Sequence, residues 1–470
     1  MENFLLTLND FLWSFLFLPC VVLCGLTLSL RCGALQFRRF GLALRSTLFK
    51  PSDEAEGSES VTPFQAASTA LAATVGTGNI VGTAQAIAMG GPGAVFWLWA
   101  AALLGMMVKY AEVYLGVRFR QRLPDGSLCG GPMYYIRFGL GRRFAPLAAG
   151  YAALAAVSAL SMGNLTQVNS SVSAICHAVT AFIPLSGTEL FKLRLVLGLC
   201  LAVLTAFILE GGIKKVGRVT GLLVPFMSLA FLTLTVAVIV CHVRRLPAVL
   251  ADIIAGAFKP RSVLGAAGGL TLRQTVLWGF RRGAFSNEAG LGSAAIAHGS
   301  ARTDSPVEHG LWGIFEVFVD TVVICSATAL AILCSGVEIP WGSLPGPELL
   351  GKALATVYSE RCAALVLSLS LFLFAFSSVI GSSVYGAACL RYLFGSRAEG
   401  PYRVLYTLCV LLGSVLSVSL IWLMTDTVNV LMSVPNFIAL FALSGLISRD
   451  VKGYFFEKAK ISSNICKSVP

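Results

Sequence analysis

Thr74, Thr77 and Asn79, set around Gly76 and Gly78, place polar side chains and two glycines in the middle of an apolar run. Lipid supplies no water to satisfy backbone ends, so a helix weakened at that depth survives only where it faces protein or a wet cavity. A break at Gly76–Gly78 presents free N–H groups at the start of its second half and free C=O groups at the end of its first. The N–H end attracts a carboxylate. The C=O end, helped by the side-chain oxygens of Thr74 and Asn79, suits a hard cation such as Na⁺. Tight helix packing is the alternative, because Gly78 and Gly82 also fit a small-residue packing spacing; packing alone does not account for three polar residues in the same turns. A second interruption runs from Arg282 to Gly292, with Ser286, Asn287 and Glu288 between Gly283 and Gly290. Ser286 and Asn287 are oxygen donors of the kind a cation needs. Glu288 at that depth needs a partner or water, with Arg282 as one option; Arg282 itself fits a gate contact as well as a substrate contact. Paired interruptions in two halves of a chain point to the midplane site of a secondary transporter.

Other polar residues lie inside apolar runs. Gln167, in the fourth span with Asn164 and Asn169 nearby, can donate to a carboxylate or bond to a neighbouring helix. Lys109 and Glu112, three apart on one helix, are expected to pair with each other. Glu316 and Asp320 are four apart and share a face; Asp320 fits a cation or proton role and also a structural hydrogen bond. Ser377 and Ser378 interrupt an apolar stretch and either complete a Na⁺ site or bond back to their own helix. His177, His242, His298 and His309 are spread along the sequence and suggest no metal cluster.

These groups need a scaffold, and composition says which kind. The chain has 470 residues, 56% hydrophobic and 12% charged, with a mean hydropathy of +0.80; soluble domains carry about 25% charge. The reading is an all-α polytopic membrane protein with eleven spans of roughly twenty residues each. They fall near residues 11–31, 63–90, 93–117, 145–178, 190–209, 217–242, 271–298, 307–334, 358–387, 402–423 and 427–448. The fourth and seventh are too long for one straight helix, so tilt or breaks are expected. The net charge of +12 does not indicate nucleic acid, because the basic residues crowd into alternate loops, as in Arg118, Arg120, Arg122, Arg137, Arg142 and Arg143. That pattern puts the N-terminus outside and the C-terminus in the cytoplasm of a cell membrane. The loop at 243–270 disagrees in charge; its amphipathic stretch from Ala248 to Phe258 suits the membrane surface. The thirteen cysteines show no zinc or disulfide spacing.

An acidic linker at 51–61 separates the first span from ten that divide into five and five. The expected units are 1–61 (extra span and linker), 62–242 (first five-helix repeat), 243–448 (loop and second repeat) and 449–470 (tail). The two breaks then open the two repeats, the placement of inverted repeats that meet near the midplane.

The motifs as a set resemble one family. Thr69-Ala70-Leu71-Ala72-Ala73-Thr74-Val75-Gly76-Thr77-Gly78-Asn79-Ile80, Gly90-Gly91-Pro92-Gly93-Ala94-Val95-Phe96-Trp97, Gly130-Gly131-Pro132-Met133-Tyr134-Tyr135, Phe285-Ser286-Asn287-Glu288-Ala289-Gly290-Leu291-Gly292-Ser293 and Gly310-Leu311-Trp312-Gly313-Ile314-Phe315-Glu316 are similar to the alanine/glycine:cation symporter family. The likeness runs from about residue 12 to 448. It implies a leucine-transporter-type fold with an extra N-terminal span, and Na⁺-coupled uptake of a small neutral amino acid, alanine or glycine. It places the substrate at Gly76, Thr77, Gly78 and Asn79 with Gln167 nearby, and at Gly283 and Phe285 in the second broken helix. It places one Na⁺ at Thr74, Asn79 and Ser286 and another at Ala72, Val75, Ser377 and Ser378. No cofactor is implied beyond the coupling ion.

Where the family reads Gly-Trp-Ser-Tyr-Tyr-Gly-Glu-Arg, this chain reads Gly381-Ser382-Ser383-Val384-Tyr385-Gly386-Ala387-Ala388, and Arg281 replaces a small residue. Ser382 in place of Trp is expected to leave a larger, more polar substrate space. Proton coupling through Asp320 or Glu288 is the nearest rival, and a channel is a further one. An enzyme is disfavoured by the lack of a His-Glu-x-x-His or Gly-x-Gly-Asp motif or any paired nucleophile and base.

Overall fold

The computed structural model describes residues 2–48, 61–124, 126–180, 182–259, 271–416 and 419–468. Most of the acidic linker and residues 260–270 of the basic loop lie outside the described residues. Among the described residues, eight helices are long and apolar enough to cross a membrane. The two interrupted segments fall outside that count because each piece is short.

In chain order the main helices are α1 (Thr7–Arg31), α2 (Pro63–Thr74), α3 (Thr83–Gly90), α4 (Ala94–Arg118), α5 (Pro132–Gly139), α6 (Arg142–Thr180), α7 (Gly187–Glu210) and α8 (Gly212–Cys241). There follow α9 (Leu246–Phe258), α10 (Leu272–Asn287), α11 (Ala294–Gly299), α12 (Pro306–Ser335), α13 (Glu348–Ala355), α14 (Glu360–Phe394), α15 (Glu399–Val415) and α16 (Ser419–Ser468). Helix starts carry their own signals. Thr62 with Gln65, Ser186 with Glu189 and Thr271 with Gln274 form reciprocal caps at α2, α7 and α10, satisfying N–H groups that the helix itself cannot.

Helix α4 is central. It packs against α1, α10 and α12, which is why Lys109, Tyr110 and Glu112 in mid-helix are fully buried. A second apolar cluster joins α2, α8, α12, α13 and α14. Helices α7 and α8 show apolar residues such as Phe207 and Leu222 on their outer faces, as a surface solvated by lipid requires.

The long fourth span carries a π turn at Ser161–Thr166 inside α6. Three departures from the sequence reading have local causes. Chain 402–423 is not continuous: α15 stops at Val415, where Asn169 Nδ2 caps it by donating to the Gly413 and Leu416 carbonyls at 3.1 and 2.8 Å, and the next helix begins by Ser419 and runs on past 448 to Ser468. The amphipathic stretch α9 docks on protein rather than lying free on the membrane surface. A Cβ on Gly93 would come within 2.2 Å of the Gly256 backbone, and Trp97 Nε1 donates to the Ala257 carbonyl at 2.9 Å. A small antiparallel hairpin, β1 (Gln121–Arg122) with β2 (Leu128–Cys129), interrupts the all-helical pattern.

Candidate functional site

Both interruptions are real breaks. Helix α2 ends at Thr74; Val75 is extended (φ −73°, ψ 95°), and the chain resumes through a π turn, Gly78–Gly82, into α3. Helix α10 ends at Asn287; Glu288 is left-handed (φ 53°), and α11 starts at Ala294. A cavity of about 850 Å³ lies against the first break. Thr77, Gly78, Val81 and Gly82 line one side, Trp278, Arg282 and Phe285 of α10 a second, and Asn169, Ser170 and Ser173 of α6 a third. The volume is that of a small-molecule site. At its rim Arg281 reaches Asp10 at 2.9 Å and Asp426 at 3.4 Å.

The two breaks share one buried polar cluster. Asp320, in the π turn Phe318–Cys325 of α12, accepts from Asn79 Nδ2 at 2.8 Å on one carboxylate oxygen. On the other it accepts from Ser286 Oγ at 2.9 Å and Thr321 Oγ1 at 2.8 Å. Asn79, Ser286 and Asp320 are at most 2% exposed. No Lys or Arg lies within ion-pairing distance of Asp320 among the described residues. A buried carboxylate held only by neutral donors leaves charge to be balanced, which is the electrostatic need a monovalent cation meets. Asn79 also faces the other way: its Oδ1 accepts from the Gly76 N–H at 2.9 Å. One side chain therefore links the gap in α2 to the carboxylate. The π turns matter here, since each widens the helix locally and turns a polar group inward; they carry Asn79 and Asp320.

The second predicted cation group also converges. Ser377 Oγ lies 3.4 Å from the Ala72 carbonyl and 2.8 Å from that of Phe374, and Ser378 Oγ bonds back to Phe374 at 3.0 Å. Ala72, Val75, Ser377 and Ser378 are all fully buried. Back-bonding and proximity to α2 thus occur together. A Cβ on Gly76 would sit 2.7 Å from Ser378 Oγ and 3.4 Å from Gln167 Oε1. Gln167 accepts from Thr77 Oγ1 at 3.2 Å, placing it behind the break.

Several expected placements differ. Thr74 Oγ1 bonds to the Ala70 and Leu71 carbonyls of its own helix. Gly283 faces α4, where a Cβ would meet Ala101 and the Leu98 carbonyl at 3.1 and 3.2 Å; its role is close helix packing. Ser382 does not enlarge the large cavity. It packs on Gly163, whose added Cβ would lie 2.2 Å from the Ser382 Cβ, beside a separate void of about 20 Å³ near Glu288 and Tyr385. Lys109 and Glu112 do not pair. Lys109 Nζ donates to the Asn287 carbonyl at 2.9 Å, while Glu112 Oε1 accepts from the Gly290 and Gly292 N–H groups at 2.9 and 3.0 Å and from Asn436 Nδ2 at 2.7 Å. Glu288 bonds to Ser293 rather than Arg282. His298 and His309, 11 residues apart in the consecutive helices α11 and α12, are hydrogen-bonded neighbours. One-turn spacing marked Glu316 and Asp320 in the sequence, but their partners on other segments, His298 for the first and Asn79 and Ser286 for the second, carry no sequence signal.

Comparisons with known proteins bear on the family and the fold. The profile of the sodium:alanine symporter family matches residues 1–467. An uncharacterized transporter of Haemophilus influenzae is 39% identical over 466 residues, covering 98% of this chain and 97% of that one. The sodium/alanine symporter AgcS of Methanococcus maripaludis is 35% identical over 457 residues, covering 95% and 96%. The probable sodium/glutamine symporter GlnT of Bacillus subtilis is 34% identical, covering 96% and 90%. Among solved structures, MhsT in complex with L-phenylalanine superposes with a TM-score of 0.56 at 16% identity over 83% of this chain and 89% of that one, a likeness of fold. The chain is a multi-pass membrane protein of the sodium:alanine symporter family, a family of cation-coupled amino-acid symporters and not of enzymes.

Proposed function

We propose that the protein couples Na⁺ to uptake of a small neutral amino acid of the alanine or glycine type by alternating access. The fold read with this is eleven spans, ten of them as two inverted five-helix repeats of the leucine-transporter type behind an extra first span. The loop charges put the N-terminus outside and the C-terminus in the cytoplasm; the large cavity then opens outward.

The observation that carries the reading is the double duty of Asn79, which holds the Gly76 N–H at 2.9 Å and the Asp320 carboxylate at 2.8 Å. Na⁺ entering beside Asp320 displaces the Asn79 amide nitrogen. Rotating that amide turns Oδ1 toward the ion and releases the Gly76 N–H. The freed N–H, with the Thr77–Gly78 backbone, receives the substrate carboxylate at the positive end of the resumed helix. Phe285, whose ring would lie 3.5 Å from a Cβ on Gly78, limits side-chain size there. A second Na⁺ is assigned to the Ala72 and Val75 carbonyls with Ser377 and Ser378. Each ligand shifts the cycle only by its differential affinity for the outward and inward states.

The test is uptake of labelled alanine and glycine into vesicles reconstituted with the protein. Uptake driven by an inward Na⁺ gradient is expected, with competition by small neutral amino acids. Uptake that ignores Na⁺ and follows a pH gradient assigns Asp320 to H⁺ instead, and no uptake of any small amino acid rejects the substrate class.

A further inference from the structure

A second buried ionisable cluster lies beyond the second break, away from the large cavity. His298 is in the short helix α11; His309 and Glu316 are two turns apart in α12. His298 Nε2 stands 2.5 Å from Glu316 Oε1, and its Nδ1 stands 2.9 Å from His309 Nε2. All three side chains are almost wholly buried. The other carboxylate oxygen, Glu316 Oε2, is buried without a hydrogen-bond partner.

The surrounding groups do not balance this carboxylate. From the loop after α4, Arg120 gives both guanidinium ends to the Ala301 and Thr303 carbonyls. From α4, Lys109 is bonded to the Asn287 carbonyl and the Tyr110 hydroxyl donates to the Val307 carbonyl. From α14, Tyr385 brings a buried hydroxyl with no partner, and Glu288 at the break adds a further carboxyl bonded to Ser293.

The proton count then decides. With both imidazoles neutral, His298 donates to Glu316 and accepts from His309, and the cluster carries one negative charge in a dry interior, where an unpaired carboxylate is strongly disfavoured. One added proton makes His298 donate from both nitrogens, to Glu316 and to a neutral His309, and the cluster becomes a neutral ion pair with no bond lost. We propose that His298, His309 and Glu316 form a buried proton-binding site, separate from the cation cluster, that holds one proton as an imidazolium between the carboxylate and the second imidazole. This proton bridges α11 to α12, the helix that bears Asp320 one turn after Glu316. A cation at Asp320 and a proton at Glu316 therefore repel, and each weakens the other by the same factor. That last consequence rests on the reading of Asp320 above; the proton site does not.

The test is ¹⁵N NMR of the full-length protein in lipid nanodiscs, labelled at histidine, with His177→Gln and His242→Gln so that only the pair reports. At pH 7 one ring is expected with both nitrogens protonated and one neutral, and Glu316→Gln should abolish the doubly protonated signal. Two neutral rings from pH 6 to 8, or an imidazolium that persists in Glu316→Gln, overturns the proposal. If Glu316→Gln fails to fold, the parent spectrum decides alone. Added NaCl should lower the midpoint pH of the imidazolium signal by an amount equal to at least about fivefold weaker proton binding. An imidazolium whose midpoint ignores Na⁺ supports the proton site and counts against Asp320 as the cation's ligand, so the two failures are told apart.

Discussion

The two broken helices carry the same sequence signature and meet opposite fates. At the first break the gap borders the large cavity, and its Gly76 N–H is held by the neutral side chain of Asn79, which also bonds Asp320. At the second break the N–H groups of Gly290 and Gly292 are both taken by Glu112, Asn436 bridges Glu112 to the Gly290 carbonyl, Tyr151 holds the Leu291 carbonyl and Lys109 holds that of Asn287. Freed backbone dipoles are thus an open resource in one place and a sealed joint in the other. What separates them is whether the groups that satisfy them come from one neutral amide shared with Asp320 or from charged side chains rooted in the most buried helix. The sealed joint still contributes Ser286 to the Asp320 cluster.

This contrast can be broken or sharpened. The largest effect is expected from Asp320→Asn. Removing the charge should weaken Na⁺ activation of uptake by at least about 100-fold, since even groups that only support metal ligands cost 10–100-fold; Na⁺ titration of initial uptake rates measures it. Next, Glu112→Ala strips the seal and leaves two buried N–H groups unpaired, at about 1–3 kcal/mol each. A lower melting temperature in detergent is expected, with partial recovery in Glu112→Gln and little change in the Na⁺ dependence of the folded fraction. Third, alanine at Gly290 meets both a positive φ of 99° and the Phe437 ring at 2.4 Å, so it should reduce the yield of folded protein. Alanine at Gly76 meets the Ser378 hydroxyl and should leave folding nearer normal while impairing substrate affinity; yield and binding measured side by side separate the two. The smallest effect is Asp10→Asn, which removes only the exposed partner of Arg281, an ion pair worth about 1 kcal/mol or less, so transport constants should move only a few-fold.

Much of this was legible in the sequence. Glycines and hydroxyls in an apolar run mark a break whatever surrounds them, so both gaps, and the polar character of Thr77, Asn79 and Ser286, could be read directly. Partners from other helices could not. Lys109 and Glu112 satisfy the spacing of a helix pair, yet each bonds instead to backbone at the second break, Lys109 to the carbonyl that ends α10 and Glu112 to N–H groups within the gap. Asp320 read somewhat better as a structural hydrogen bond than as a cation or proton group, and its partners Asn79 and Ser286 lie on other segments. The substitution at Ser382 suggested a wider cavity, but the small side chain is matched by Gly163 across a helix contact, a compensation that only packing reveals. The end of α15 was misplaced because its stop signal is the side chain of Asn169, distant in sequence.

The central claim is that Asn79 transmits cation binding at Asp320 to the substrate gap. Equilibrium binding of labelled alanine to the purified protein, titrated with NaCl at constant ionic strength, tests it most directly in the parent and in Asn79→Ala. The account predicts that Na⁺ tightens alanine binding in the parent by several-fold or more, within the usual range of site-to-site coupling, and that Asn79→Ala loses this tightening. Undiminished Na⁺ dependence in a folded Asn79→Ala protein would contradict it.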